Sequence, residues 1–185
     1  MQVQFFLPIF ILFILSTGCH QTDKSSTNLN LSFEDRENGL PENWSVYHQQ
    51  PSYSVSLDSV NVKSGKYAIA IEFTGGTVNF QALTFKLPYN YDGKKITLSG
   101  YIKTENVTDG FAGLWMMTDP TTAFHVMEKN GVTGTIDWIK YEITLDMYPA
   151  EAKEIVISGI LSGKGKMWLD DLKLSIDGKD IEKAS

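Results

Sequence analysis

The sequence predicts an all-β protein, a two-sheet antiparallel β-sandwich of the jelly-roll type. Three observations carry that expectation. Apolar residues recur with period two in one segment after another, clusters of Gly, Asn, Asp and Ser separate those segments, and no stretch has the spacing of a long amphipathic helix.

The elements follow in chain order. Residues Phe5 to Leu15 are apolar apart from Pro8. The run is too short to span a bilayer, which takes ~20 apolar residues, and it matches the apolar core of a secretory signal. Ser16, Thr17 and Gly18 then precede Cys19, the layout of a lipobox in which the cysteine is lipidated before cleavage. No Lys or Arg precedes the run, and Ser16 stands where Leu is usual. The cysteine is nevertheless the only one in the chain, placed where lipid chemistry needs it. The expectation is a lipoprotein signal over residues 1–18, a polar tether over 19–28, and export with lipid anchoring to the cell envelope, in the periplasm or at the surface. Membrane contact is then through the anchor alone. A sole cysteine also leaves no intramolecular disulfide, so packing must hold the fold.

Residues 29–178 read as one domain. Asn30-Leu-Ser-Phe-Glu34 is expected as the first strand. Tyr67, Ile69, Ile71 and Phe73 alternate with smaller or polar residues, and so do Ile96, Leu98, Gly100 and Ile102. Phe111 to Met117 and Ile155 to Leu161 are apolar on both faces, as central strands or groove-lining strands are. Tyr141, Ile143, Leu145 and Met147 alternate again, as do Trp168, Asp170, Leu172, Leu174 and Ile176. Turns are expected at Lys63–Lys66, Gly75-Gly76, Asp92-Gly93, Asp109-Gly110, Asn130-Gly131 and Gly163–Gly165. That makes nine to eleven short strands. Residues 179–185 form a charged tail. The net charge is −6, and residues 1–18 carry no charged side chain, so the exported part stays acidic. An acidic surface repels phosphate backbones and argues against a nucleic-acid partner.

No catalytic constellation shows itself. There are three histidines, no Gly-x-Ser-x-Gly elbow and no His-Glu-x-x-His. The stretch Gly159 to Lys164 is one residue short of a phosphate loop and reads as a hairpin turn. Asp170 and Asp171 are adjacent, so on a strand they face opposite ways and cannot flank one bond. No enzyme activity is expected.

Two features suggest binding. Glu34 and Asp170 are carboxylates at the edge of the predicted core, on first and last strands that neighbour each other in a jelly roll. Either a hard cation such as calcium sits between them, or they cap turns and pair with lysines. The second feature is the four Trp and eight Tyr. A flat aromatic stacks on the C–H face of a sugar while polar groups fix its hydroxyls. Tyr101 and Trp115, with Phe111, His125, Asn79 and Gln81, are the candidates to line such a groove. Trp44 and Trp168 are expected in the core.

Asn30-Leu-Ser-Phe-Glu34, Gly39-Leu-Pro-Glu-Asn-Trp44, Ser64-Gly-Lys-Tyr-Ala-Ile69 and Trp168-Leu-Asp-Asp-Leu172 resemble the jelly-roll carbohydrate-binding modules and their galactose-binding-like relatives. Residues 100–107, 110–116, 134–146 and 158–172 resemble more specifically the β-sandwich domain found in front of tail-specific-protease-type and erythromycin-esterase-like domains of secreted bacterial proteins. The resemblance implies a galactose-binding-like sandwich, export, and a structural calcium at the positions matching Glu34 and Asp170. It also implies two possible partners: a glycan or similar extracellular ligand, or a hydrolase against which the domain packs.

Overall fold

The structure is a computed structural model that describes residues 28–88, 92–120, 123–147 and 152–182. The expected signal, Cys19 and all of the tether but Asn28 lie outside the described residues. Among the described residues there is no helix. The strands are β1 (Arg36–Glu37), β2 (Leu40–Pro41), β3 (Ser45–Tyr47), β4 (Tyr53–Asp58), β5 (Ala68–Phe73), β6 (Phe80–Pro88), β7 (Lys95–Asp119), β8 (Phe124–Val126), β9 (Val132–Asp146), β10 (Glu154–Ile176) and β11 (Lys179–Asp180).

Every ladder is antiparallel, and the nine strands from β3 to β11 are joined by continuous hydrogen bonding. Two layers arise because β7 and β10 each serve both. The first half of β10, residues 154–162, lies between β6 and the second half of β7. With β3 on one side and β8 on the other, this makes a front layer ordered β3-β6-β10-β7-β8. The second half of β10 lies between β5 and the first half of β7. Outside these, β4 and β9 complete a back layer ordered β4-β5-β10-β7-β9. The predicted sandwich is thus one sheet folded over on itself.

The fold-over happens where turns were expected. Gly163–Gly165 and Asp109-Gly110 are not hairpins but opposed irregularities inside β10 and β7, with register shifts between Ser162, Lys164 and Lys166. The reason lies in the backbone. Gly163 (φ 94°) and Gly165 (φ 96°) sit in the left-handed region. A Cβ on Gly163 would lie 2.4 Å from the Thr108 carbonyl oxygen, and one on Gly165 2.5 Å from that of Asn106. Glycine inside a strand often marks a bulge or close backbone approach rather than a chain reversal. The Gly159–Lys164 stretch is likewise strand running into the bend of β10, not a hairpin turn. Tyr53 fastens the bend by donating its hydroxyl to the carbonyl of Gly163 at 2.6 Å.

Between the layers lies the core. Leu83, Phe85, Leu87, Leu114, Met116, Ile155 and Ile157 of the front layer face Ile69, Ile71, Ile96, Leu98, Met167, Leu169 and Leu174 of the back layer. Trp44 joins this core as expected, with Phe33 edge-on at 5.1 Å and Phe85 at 5.5 Å. Trp168 does not. A register shift after Asp170, with Asp171 at φ 51°, changes the phase of β10. Leu172, Leu174 and Ile176 therefore point inward while Trp168 and Asp170 point out of the sandwich. Trp168 is buried there beneath Lys166 and Lys103, with its indole N–H donated to Asp58 at 2.8 Å.

The segment expected as the first strand is instead a turn. Asn30 and Phe33 have positive φ, and the Asn30 side chain supplies the bonds a neighbouring strand would have given, to the carbonyls of Asp35 and Glu42 and from the N–H of Asp35. Leu29, Leu31 and Phe33 are still buried, so the alternation was meaningful without a ladder. At the other end, Lys179–Asp180 pairs with Ser175–Ile176, which carries the domain past residue 178 into the expected tail.

Gly163→Ala tests the bend. It should cost about 3 kcal/mol or more in chemical denaturation, because the new methyl meets main-chain atoms. Gly39→Ala, also at positive φ (83°) but with nothing within 4 Å of the added Cβ, should cost only ~1 kcal/mol. Equal losses would mean that the close strand approach at 163 adds nothing beyond the dihedral.

Candidate functional site

The face of the front layer turned away from the core carries a second, separate apolar cluster around Ala82, Trp115 and Ile160. Strand alternation builds it. Leu114 and Met116 point into the core, so Phe111, Gly113, Trp115 and Met117 point out. Leu83 and Phe85 point in, so Phe80 and Ala82 point out. The register sets Tyr47, Ala82, Ile160 and Gly113 in one row across β3, β6, β10 and β7. Ser158, Trp115 and Val126 lie in the next row. The result is a groove of about 370 Å³ walled by Tyr47, Phe80, Phe111, Trp115 and Phe124, with Ile160, Val126, Ser162 and Glu128 completing its lining.

Trp115 is inclined to Tyr47 and Phe124, whereas Tyr47 and Phe80 are nearly parallel. Tyr47 stands at 79° to Trp115 with centroids 5.1 Å apart, and at 25° to Phe80. Trp115 and Phe124 are 6.2 Å apart at 59°. Together the rings line a cleft and do not form a flat platform. Trp115 is only 6% exposed and serves as the groove floor, whereas Phe124, 54% exposed, is the free ring at the rim. Gly131 leaves the room in which the Phe111 ring is seated, since a Cβ there would lie 2.6 Å from it.

Of the six residues expected to line a groove, Trp115 and Phe111 do so. The other four are placed elsewhere. Tyr101 is on β7 before the bend and therefore on the outer face of the back layer, with the Lys63 ammonium 4.6 Å from its ring. Gln81 is fully buried and points to the core side of β6, where it bonds the Tyr47 carbonyl and the Gln50 N–H. Asn79 precedes β6 and accepts from the N–H of Phe80. His125 faces away from the groove, with Nδ1 3.0 Å from the Thr144 carbonyl, and lines a separate depression between β8 and β9. Sequence reasoning missed Tyr47, Phe80, Phe124 and Glu128. The missed Phe80 and Phe124 are immediate neighbours of Asn79, Gln81 and His125, so the segments were right and the strand phase was wrong.

Glu34 and Asp170 do meet at one place, the turn over residues 63–67. That turn presents main-chain N–H groups to both. Lys63 and Ser64 donate to Asp170 at 2.8 and 3.1 Å, and Lys66 and Tyr67 donate to Glu34 at 2.9 and 3.3 Å. Gly65 is pressed so close to Glu34 that a Cβ would lie 2.1 Å from Oε1. A calcium ion requires oxygen ligands, and here amide donors occupy the carboxylates. Each carboxylate caps the turn through these main-chain N–H groups. Among the described residues no group of three or more His, Cys, Asp or Glu side chains converges. Burial pushes the Asp170 carboxyl above its ordinary range, against the opposing pull of the N–H groups of Ser64, Lys63 and Asp171. Asp58, beneath Trp168, goes the other way. Burial would raise it, but the N–H groups of Asn61, Trp168 and Val60 outweigh that and bring it to about 2.

No family model matches the chain. It is 32% identical over 136 residues to a Bacillus subtilis (strain 168) protein named as an uncharacterized HTH-type transcriptional regulator, YbfP; the match takes in 69% of this chain and 45% of that protein. The chain therefore spans less than half the length of this curated relative. Among solved structures, it is similar to a family 4 carbohydrate-binding module (TM-score 0.54, 18% identity, 80% of this chain and 98% of that one). It is also similar to TmCBM61 bound to β-1,4-galactotriose (0.53, 18%, 80% and 96%). A third is the xylan-binding domain CBM22-1 of Paenibacillus barcinonensis Xyn10C (0.50, 15%, 78% and 90%). The fold is that of the β-sandwich carbohydrate-binding modules, as the sequence resemblance implied.

Two predictions follow from the carboxylates. Because amides satisfy Glu34 and Asp170, a chelator should leave the melting temperature unchanged; a fall reversed by added calcium would place an ion there. Asp58, depressed from 3.8 to about 2, contributes stability that is fully present above its unfolded value and is lost as pH falls from about 4 towards 2. Asp58→Asn should lower stability at neutral pH by about 1–2 kcal/mol and flatten that acid limb of the melting curve. An unchanged acid limb would remove Asp58 from the account.

Proposed function

We propose that this chain is a non-catalytic binding module for a carbohydrate, exported and held to the cell envelope through a lipid on Cys19. The observation that carries the binding part is the aromatic groove on the outer face of the front layer. Five rings are exposed to, or floor, one narrow hollow on a face that the core does not need. Burying so many rings away from the core has a physical use if a ligand with apolar C–H faces covers them. Similarity in fold to modules described as binding xylan and β-1,4-galactotriose supports the same reading. The anchor rests on the sequence of residues 5–19.

The match to a protein named as an HTH-type regulator favours a ligand-sensing role over catalysis, since a domain sharing a chain with a DNA reader is well suited to report a bound ligand. Docking against a hydrolase, the other partner class implied by the sequence, has only the exposed Phe124 in its favour.

Calorimetric titration against an array of oligosaccharides tests the groove. Trp115→Ala and Tyr47→Ala should each weaken binding about tenfold or more, stacking being worth ~0.5–1.5 kcal/mol beyond the area it covers. Tyr101→Ala should bind as wild type. Equal loss at Tyr101, or none at Trp115, would move the site off this face. Lipidation is tested by fatty-acid labelling in cells: Cys19→Ser should abolish the label, and persistent label would refute the anchor.

A further inference from the structure

The groove's charge is as informative as its rings. No Lys or Arg lines it, and Glu128 is the one charged side chain among the residues that do. Glu128 stands at the rim, exposed, and its carboxylate makes no ion pair or hydrogen bond among the described residues. Some surface acids are ion-paired, Glu154 with Lys86, Glu72 with Lys166 and Asp109 with Lys164; Glu128 is among those that are not, and it is the one that lines the groove. An unmatched carboxylate beside inclined aromatic rings, on a chain of net charge −6, makes a site with two attractions for a cation. Ring faces of Tyr47, Trp115 and Phe124 attract an ammonium through their quadrupoles, and Glu128 attracts it directly. The same site repels carboxylated or sulfated sugars, because nothing in it can neutralise them.

We propose that the groove selects glycans carrying free amino groups, with Glu128 as the residue that sets this preference. The proposal rests on the carbohydrate-binding reading above and deepens it. An amino sugar offers both halves of what the groove presents, an apolar ring face for the aromatics and an ammonium for Glu128.

The test uses matched oligomers on the full chain: a neutral glucan or galactan, its 2-amino-2-deoxy counterpart of the same linkage and length, and its uronic-acid counterpart. The amino oligomer should bind about tenfold more tightly than the neutral one at low salt, and the uronate more weakly than either. The advantage should shrink with added salt and disappear when pH is raised until the amine is uncharged. Glu128→Gln should cut the amino-to-neutral ratio about threefold and leave neutral binding unchanged; Glu142→Gln, outside the groove, should do neither. If neutral glycans bind but the amino form gains nothing, or the ratio is unmoved by Glu128→Gln, this proposal fails and the glycan reading stands. If no oligosaccharide of any class binds to protein that melts normally, both fail.

Discussion

The structure depends on one pairing, that of β7 with β10. These two strands run side by side from Ile96 opposite Ile176 to Asp119 opposite Glu154, through both layers. Each supplies inward residues to both halves of the core, and each has its other edge occupied by different strands in the two layers. Because they bend together, the sheet closes on itself without a separate second sheet being recruited. The constraint is local and steric: at Gly163 and Gly165 the backbones approach too closely for any side chain.

That bend also decides where function can reside. Tyr101 and Trp115 are both outward on the same strand, fourteen positions apart by number, yet they belong to opposite faces of the molecule. On the back layer the outward residues are matched by lysines, as Tyr101 is by Lys63 and Trp168 by Lys166. On the front layer the outward residues are rings that meet chiefly one another. The back-layer rings are covered by lysines, whereas the front-layer rings leave an apolar groove beside the Lys86–Glu154 ion pair of the same layer.

Much of the fold was legible because period-two alternation survives even where the ladder does not. Leu29, Leu31 and Phe33 alternate and are buried although the segment expected as a strand is a turn, since burial and strand pairing are separate demands on the chain. Turns were legible where glycine ends a strand, at Gly75-Gly76 or Asp92-Gly93, and misread at Gly163–Gly165, because glycine marks a bulge and a reversal with the same letters. The groove was legible only in part. Phe111 and Trp115 stand on a strand whose long apolar run fixes its phase. For β6 and β8 the phase is set by tertiary pairing, and a one-residue error exchanged Phe80 for Gln81 and Phe124 for His125. Tyr47 sits on a three-residue strand, too short to show a period at all. Glu34 and Asp170 both accept from the 63–67 turn, but whether N–H or carbonyl groups meet them depends on how that turn is oriented.

The central claim is that a ligand enters the outer face of the front layer. The most direct measurement is a heteronuclear NMR titration that follows the four indole N–H signals as an oligosaccharide is added. The Trp115 signal should move and saturate with the ligand, while those of Trp44 in the core, Trp168 beneath its lysines and Trp138 on β9 stay in place. Movement of the Trp168 signal with Trp115 unmoved would put binding on the back layer and contradict the account.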